Sequence, residues 1–179
     1  MSVVESTDKK VPLSGKTGTR IAFDPGLVAT GYAVGRGSNT LFSSGTIRPK
    51  GDTKAERLSS LLTDIDAIFQ TFGPLFCDIE VAGHFAYERS RDAETDKMLN
   101  ARSLILNGYA TAIIFAVAGR HGIPVEERRA HSWKMVRGRN MDKEQMIRLA
   151  YSHCPGLREK GRFSSHEAEA VCLLFTGRP

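Results

Sequence analysis

The chain has 179 residues, 41% hydrophobic and 25% charged, with a formal net charge of +5. This suits one globular domain with a sizeable core, leaves no room for a second full domain, and favours a polyanionic partner. Cys77, Cys154 and Cys172 are odd in number and lack C-x-x-C spacing, and two of them sit in apolar runs, so they read as buried thiols in a reducing compartment, with no disulfide and no zinc site.

Residues 1–19, MSVVESTDKKVPLSGKTGT, mix acids with lysines and have no apolar core of signal-peptide length. They read as a flexible, slightly basic tail ahead of a domain spanning 20–179, in an intracellular protein. Ile21 to Phe23, Thr30 to Gly35 and Thr40 to Ile47 have the apolar, β-branched character and short Gly-rich separations of a three-stranded antiparallel meander. A helix follows, opened by the capping box Thr53-x-x-Glu56, carrying Leu58, Leu61, Leu62, Ile65, Ile68, Phe69 and Phe72 at helical spacing, and closed by Gly73-Pro74.

LFCDIEVAG is a short apolar strand with Glu80 near its end, returning parallel after the helix. Residues 83–95 form a polar loop or helix start. A long helix is expected from Asp96 to Arg120; its apolar stretch, Ser103 to Ala118, is interrupted by Asn107, Gly108 and Tyr109 and is shorter than a membrane span of about 20 residues. Ile123 to Glu127 reads as a fifth strand, Met141 to Ser152 as a helix, and Ser164 to Phe175 as a last helix with a second capping box, Ser164-x-x-Glu167. The result is an α/β domain with a mixed five-stranded sheet, three antiparallel strands then two parallel ones, flanked by helices, in the RNase H-like order. Element order alone does not set function, because that fold hosts nucleases, transposases and kinases.

Chemistry enters at the strand ends. Asp24 ends the first strand and Glu80 nearly ends the fourth; if the two strands are neighbours, two carboxylates meet at one edge, which costs free energy unless a cation or a proton intervenes. For Asp24 alone, a turn carboxylate before Pro25-Gly26 is an equal reading. In the last helix His166 and Glu169 share one face, whereas Glu167 points about 100° away from His166, so the first two are preferred as site residues. A one-turn misreading reverses that choice, and for His166 alone a polar residue at the helix N-terminus is an equal reading, which its spacing to Glu169 tips only slightly. Asp, Glu, His and Glu form a hard, oxygen-rich set suited to Mg²⁺ or Mn²⁺, and two such ions roughly 4 Å apart clamp the attacking and leaving oxygens of a phosphodiester while water attacks. No Ser-His-Asp, Walker or dinucleotide pattern competes.

Between Arg128 and Arg148, the cations Arg128, Arg129, Lys134, Arg137, Arg139, Lys143 and Arg148 face only Asp142 and Glu144. A solvated face is the ordinary reading; a flexible loop broken by Gly138 and Asn140 that follows a phosphate backbone is the functional one. Phe85 and Tyr87 are candidates for stacking on an unpaired base, with packing on the neighbouring helix equally open.

These residues resemble the RuvC-type Holliday junction resolvases. IAFDPGLVATGYAV is similar to their first hairpin, DIEVAGHFAYERS to the strand bearing the second acid, and MLNARSLILNGYATAI to the helix through which subunits pair. HSWKMVRGRNMDKEQM is similar to their basic loop, with Lys134 and Lys143 at the positions of DNA-contacting lysines, and SHEAEAVCLLF to their terminal helix. The resemblance covers Arg20 to the C-terminus. It implies a homodimer, paired through Ala101, Gly108 and Ala112, that cuts a four-way DNA junction at two symmetric strands and leaves 5′-phosphate and 3′-hydroxyl ends. It also implies a two-ion site in which Asp24 and Glu80 bridge the metals and His166 and Glu169 complete the set. His166 stands where most members carry a carboxylate, and Glu169 is one methylene longer than the usual Asp. The rival expectations are a YqgF-like RNA-processing nuclease and a catalytically weak junction-binding protein; a sugar-kinase-like ATPase needs two such domains.

Overall fold

The computed structural model describes residues 18–37, 40–81, 101–136, 139–155 and 164–176. Strands β1 (Thr19–Asp24), β2 (Thr30–Arg36) and β3 (Thr40–Ile47) form the antiparallel meander. Helix α1 (Lys54–Phe72) leads to β4 (Phe76–Val81), which lies parallel to β1; helix α2 (Ala101–Arg120) leads to β5 (Val125–Arg129), parallel to β4. The sheet order is β3-β2-β1-β4-β5, the arrangement expected from the element order. The remaining elements are the single turn α3 (Ala130–Trp133), a small hairpin of β6 (Met135–Val136) and β7 (Arg139–Asn140), and helices α4 (Lys143–His153) and α5 (Ser165–Thr176).

Strand alternation divides the core. Ile21, Phe23, Val34, Cys77 and Ile79 pack with Leu61, Ile65 and Phe69 of α1 and with Ala110, Ile114 and Val117 of α2. Ala22 and Ala33 face the other side, against Met146 and Ala150 of α4 and Ala168, Val171, Cys172 and Leu173 of α5. The two alanines let α5 lie close to the sheet. Asp24 and Glu80 follow the phase of Ala22 and Asp78, so both carboxylates emerge on the side covered by α5.

The Thr53 capping box forms in full, and Gly73 closes α1 in the left-handed region with φ 51°. The second capping box does not form as expected. The Ser164 hydroxyl accepts the Glu167 N–H, but the Glu167 carboxylate accepts from the Ser44 hydroxyl of β3 at 2.7 Å. The fifth strand lies two residues later than expected. Ile123 is used in the cap of α2, where its N–H reaches the Ala118 carbonyl and Gly122 takes φ 67°; the strand then runs into the charged Glu126–Arg129, which an edge position tolerates. The break expected as a flexible basic loop is a two-stranded ribbon, with Met135 opposite Asn140 and Val136 opposite Arg139. All three cysteines are buried. Among the described residues no helix is long and apolar enough to cross a membrane.

Candidate active site

Phe23 of β1 pairs with Ile79 of β4, and one residue further on stand Asp24 and Glu80. The turn after Asp24 is clasped by Thr30, whose hydroxyl donates to the Gly26 carbonyl at 2.7 Å and accepts the Gly26 N–H at 3.2 Å. Opposite Asp24 in the β1–β2 pair is Gly31. A Cβ there would meet the backbone of His166, so the bare glycine admits the first turn of α5 against the strand. The DPG…TG pattern therefore aims a carboxylate and seats the helix that faces it.

The outcome is a cluster. Asp24, Glu80 and Glu169 each present a carboxylate oxygen within 4.8 Å of the others. His166 joins through Asp24, its Nδ1 lying 2.6 Å from Asp24 Oδ2. Asp24, a turn carboxylate on the alternative reading, thus belongs to this group, and Glu167 is held on Ser44. Asp24 and Glu80 of the cluster line a cleft of about 530 Å³ whose wall includes Asn107, Gly108, Thr111 and Ala112 of α2. Asn107 and Thr111 were missed in the sequence, although a polar Asn inside an apolar helix is a signal of a wet face.

Lys134 occupies a place that the basic run did not suggest. Its ammonium donates to Glu80 Oε1 at 2.6 Å and Glu169 Oε2 at 2.5 Å, at the base of the β6–β7 ribbon. Burial pushes the Glu80 carboxyl up to about 7, with Lys134 pulling it down and Asp24 and Glu169 pushing it up. Glu169 is likewise raised, by burial and then by Asp24. Burial works against the Lys134 charge, but Glu80 and Glu169 outweigh it and hold the ammonium protonated. The hydrogen bond to Asp24 raises His166. Four upward shifts within one cluster, on two acids and two bases, mark a site built around charge.

The group fits a divalent cation. Three carboxylates converge, and Glu80 Oε2 is buried without a hydrogen-bond partner, leaving a lone-pair donor for which the described residues supply no proton.

Other expected contacts are distributed unevenly. Lys143 is exposed at the first turn of α4 and near enough to oppose the charge on His166. Arg128 is taken up by Glu126 at 3.0 Å and Asp78 at 3.6 Å, and Arg148 by Glu144 at 2.9 Å, so much of the basic run is neutralised internally. Phe85, Tyr87 and Arg137 lie outside the described residues, as does the side chain of Arg139.

No family model matches the chain. It is 29% identical over 163 residues to the crossover junction endodeoxyribonuclease RuvC of Anaeromyxobacter sp. (strain Fw109-5), covering 86% of this chain and 69% of that protein. Against the RuvC of Nitratidesulfovibrio vulgaris (strain DP4) the identity is 28% over 162 residues, covering 87% and 90%. The chain is RuvC-like. The solved structure of T. thermophilus RuvC in complex with a Holliday junction substrate aligns with a TM-score of 0.68 at 18% identity, covering 88% of this chain and 90% of that one. The yeast mitochondrial Holliday junction resolvase Ydc2 aligns at 0.57 and 11% identity, covering 89% and 76%. The RuvC-like fold thus extends over nearly the whole chain.

Proposed function

We propose that this RuvC-like chain is an intracellular, structure-selective endonuclease that resolves Holliday junctions by metal-dependent hydrolysis of phosphodiester bonds, giving 5′-phosphate and 3′-hydroxyl ends. The convergence of Asp24, Glu80 and Glu169 at the border of an open cleft carries the reading.

Asp24, Glu80, Glu169 and His166 would hold Mg²⁺ or Mn²⁺, two ions per site. Bound there, the ions supply Lewis acidity and a water-derived nucleophile for in-line attack at phosphorus. His166 fixes the orientation of Asp24 through Nδ1. Lys134 balances the carboxylates before the substrate arrives, and Lys134 and Lys143 steady the scissile strand. Asn107 and Thr111 line the wall along which that strand passes.

A homodimer presents two such sites. Ile105 (55% exposed) and Tyr109 (42%) leave apolar surface on α2 beside Gly108 and Ala112, and pairing through this face places the sites about a two-fold axis matching a two-fold junction.

The test is incubation of a synthetic four-way junction with Mg²⁺ and either the wild type or Asp24→Asn. Paired symmetric nicks that vanish in the variant, with binding retained, support the reading. Binding with no metal-dependent cleavage points to an inert junction binder, and preference for RNA to a processing nuclease.

A further inference from the structure

Three cations outside the basic run stand free at the edge of the sheet that carries the acidic cluster. In β3, Ile47 pairs with Thr30, while Asp24 pairs with Gly31, so the chain leaves β3 at the edge where Asp24 and Glu80 emerge. With neighbouring strands about 4.8 Å apart, the end of β3 lies two strand spacings from Asp24. It is also tied to the site: the Thr46 and Ser164 hydroxyls touch, and Ser44 donates to Glu167. Both contacts join β3 to the first turn of the helix bearing His166 and Glu169.

Arg48, Lys50 and Lys54 follow, all exposed and without an ion pair or side-chain hydrogen bond among the described residues. The segment holding them is ordered by its own bonds. The Lys50 N–H donates to the Ser60 hydroxyl at 3.0 Å and Arg57 Nε to the Gly51 carbonyl at 2.9 Å. Gly51 sits at φ 129°, where a Cβ would strike Glu56. Asp52 and Glu56 share the segment but form no ion pair with these cations among the described residues; the Glu56 carboxylate accepts the N–H groups of Asp52 and Thr53 at 2.8 and 3.0 Å, so three cations stand against two acids there.

We propose that Arg48, Lys50 and Lys54 form a second phosphate-binding surface, beyond the end of β3, which holds the duplex arm of the junction flanking the cleaved strand. This deepens the reading given above and rests on it. Unpaired cations spaced along an ordered segment beside a hydrolytic site suit an extended polyanion better than a compact ligand, because each charge meets a separate phosphate along the backbone.

The experiment compares wild type with Arg48→Ala/Lys50→Ala/Lys54→Ala, measuring affinity for a four-way DNA junction across a salt series in chelator, with Mg²⁺ affinity by calorimetry alongside. The expected result is an affinity loss of about tenfold or more and a salt slope reduced by about 0.9 for each contact removed, with Mg²⁺ affinity and melting temperature unchanged. Lys50→Glu lowers affinity further than Lys50→Ala. Wild-type junction binding with an unchanged slope in the triple variant overturns the surface alone. A wild type that binds no DNA overturns both the surface and the nuclease reading.

Discussion

A methyl group built onto Gly31 would stand 1.9 Å from the carbonyl oxygen of His166. The helix carrying His166 and Glu169 thus reaches the strand carrying Asp24 only because residue 31 has no side chain. Gly31→Ala must push α5 outward, an overpacking strain of about 1–3 kcal/mol, and the melting temperature should fall by about 2–4 °C for each kcal/mol in a domain of this size. Divalent-ion affinity should fall with it, because Glu169 moves with the helix. A variant that melts and loads Mg²⁺ like the wild type removes this packing role.

Lys134 competes with any cation for Glu80 and Glu169. Unit charges about 4 Å apart interact by about 4 kcal/mol at an effective dielectric near 20. Lys134→Met should therefore tighten calorimetric Mg²⁺ binding by at least about tenfold, while lowering the melting temperature in chelator, where three carboxylates are left to repel. Junction cleavage falls in the same variant. Weaker Mg²⁺ binding in Lys134→Met would show that the ammonium assists the ion instead.

The cluster predicts a pH dependence. Glu80 is held at about 7 in the folded protein against an ordinary 4.5, so the native state binds its proton more tightly than the unfolded chain does. Its contribution to stability is complete below about pH 4.5 and is lost as pH rises through about 7. His166, also raised, acts in the same direction. In chelator the melting temperature should decline across that window; Mg²⁺ affinity should climb across it, since the ion needs the ionised carboxylate. Glu80→Gln flattens much of both curves.

Arg20 and Asp78 test the support beneath the site. Asp78 is 1% exposed and accepts from Arg20 at 2.5 Å. Burial nonetheless raises its carboxyl, the two arginines only partly offsetting it. Arg20→Met leaves a buried carboxylate poorly compensated and should cost on the order of 3 kcal/mol, read from denaturant midpoints. Adding Asp78→Asn should restore part of that loss; additive losses in the double variant would show that the pair is not coupled.

Much of this arrangement was legible in the sequence because it follows from periodicity. Alternation along β1 and β4 places Asp24 and Glu80 on one face, and three-residue spacing on a helix puts Glu169 beside His166. What was not legible depends on long-range register. Lys134 looks like one more solvated cation in a basic run until the β6–β7 ribbon pins it between two acids. Glu167 follows a capping-box spacing, yet Ser44, distant in sequence, offers it a better donor. Arg48, Lys50 and Lys54 are masked by Asp52 and Glu56 in any local count of charge, and only the fold shows that neither acid pairs with them among the described residues. Ile123 has strand character, but the end of α2 claims it first.

The contact between His166 and Asp24 spans 142 residues. A cation held by Asp24 and Glu169 would close nearly the whole polypeptide into a single ring, a reversible clasp whose effect on the unfolded ensemble grows with the length enclosed. Loading should then slow amide exchange in both β1 and α5, and chelation should loosen the two together.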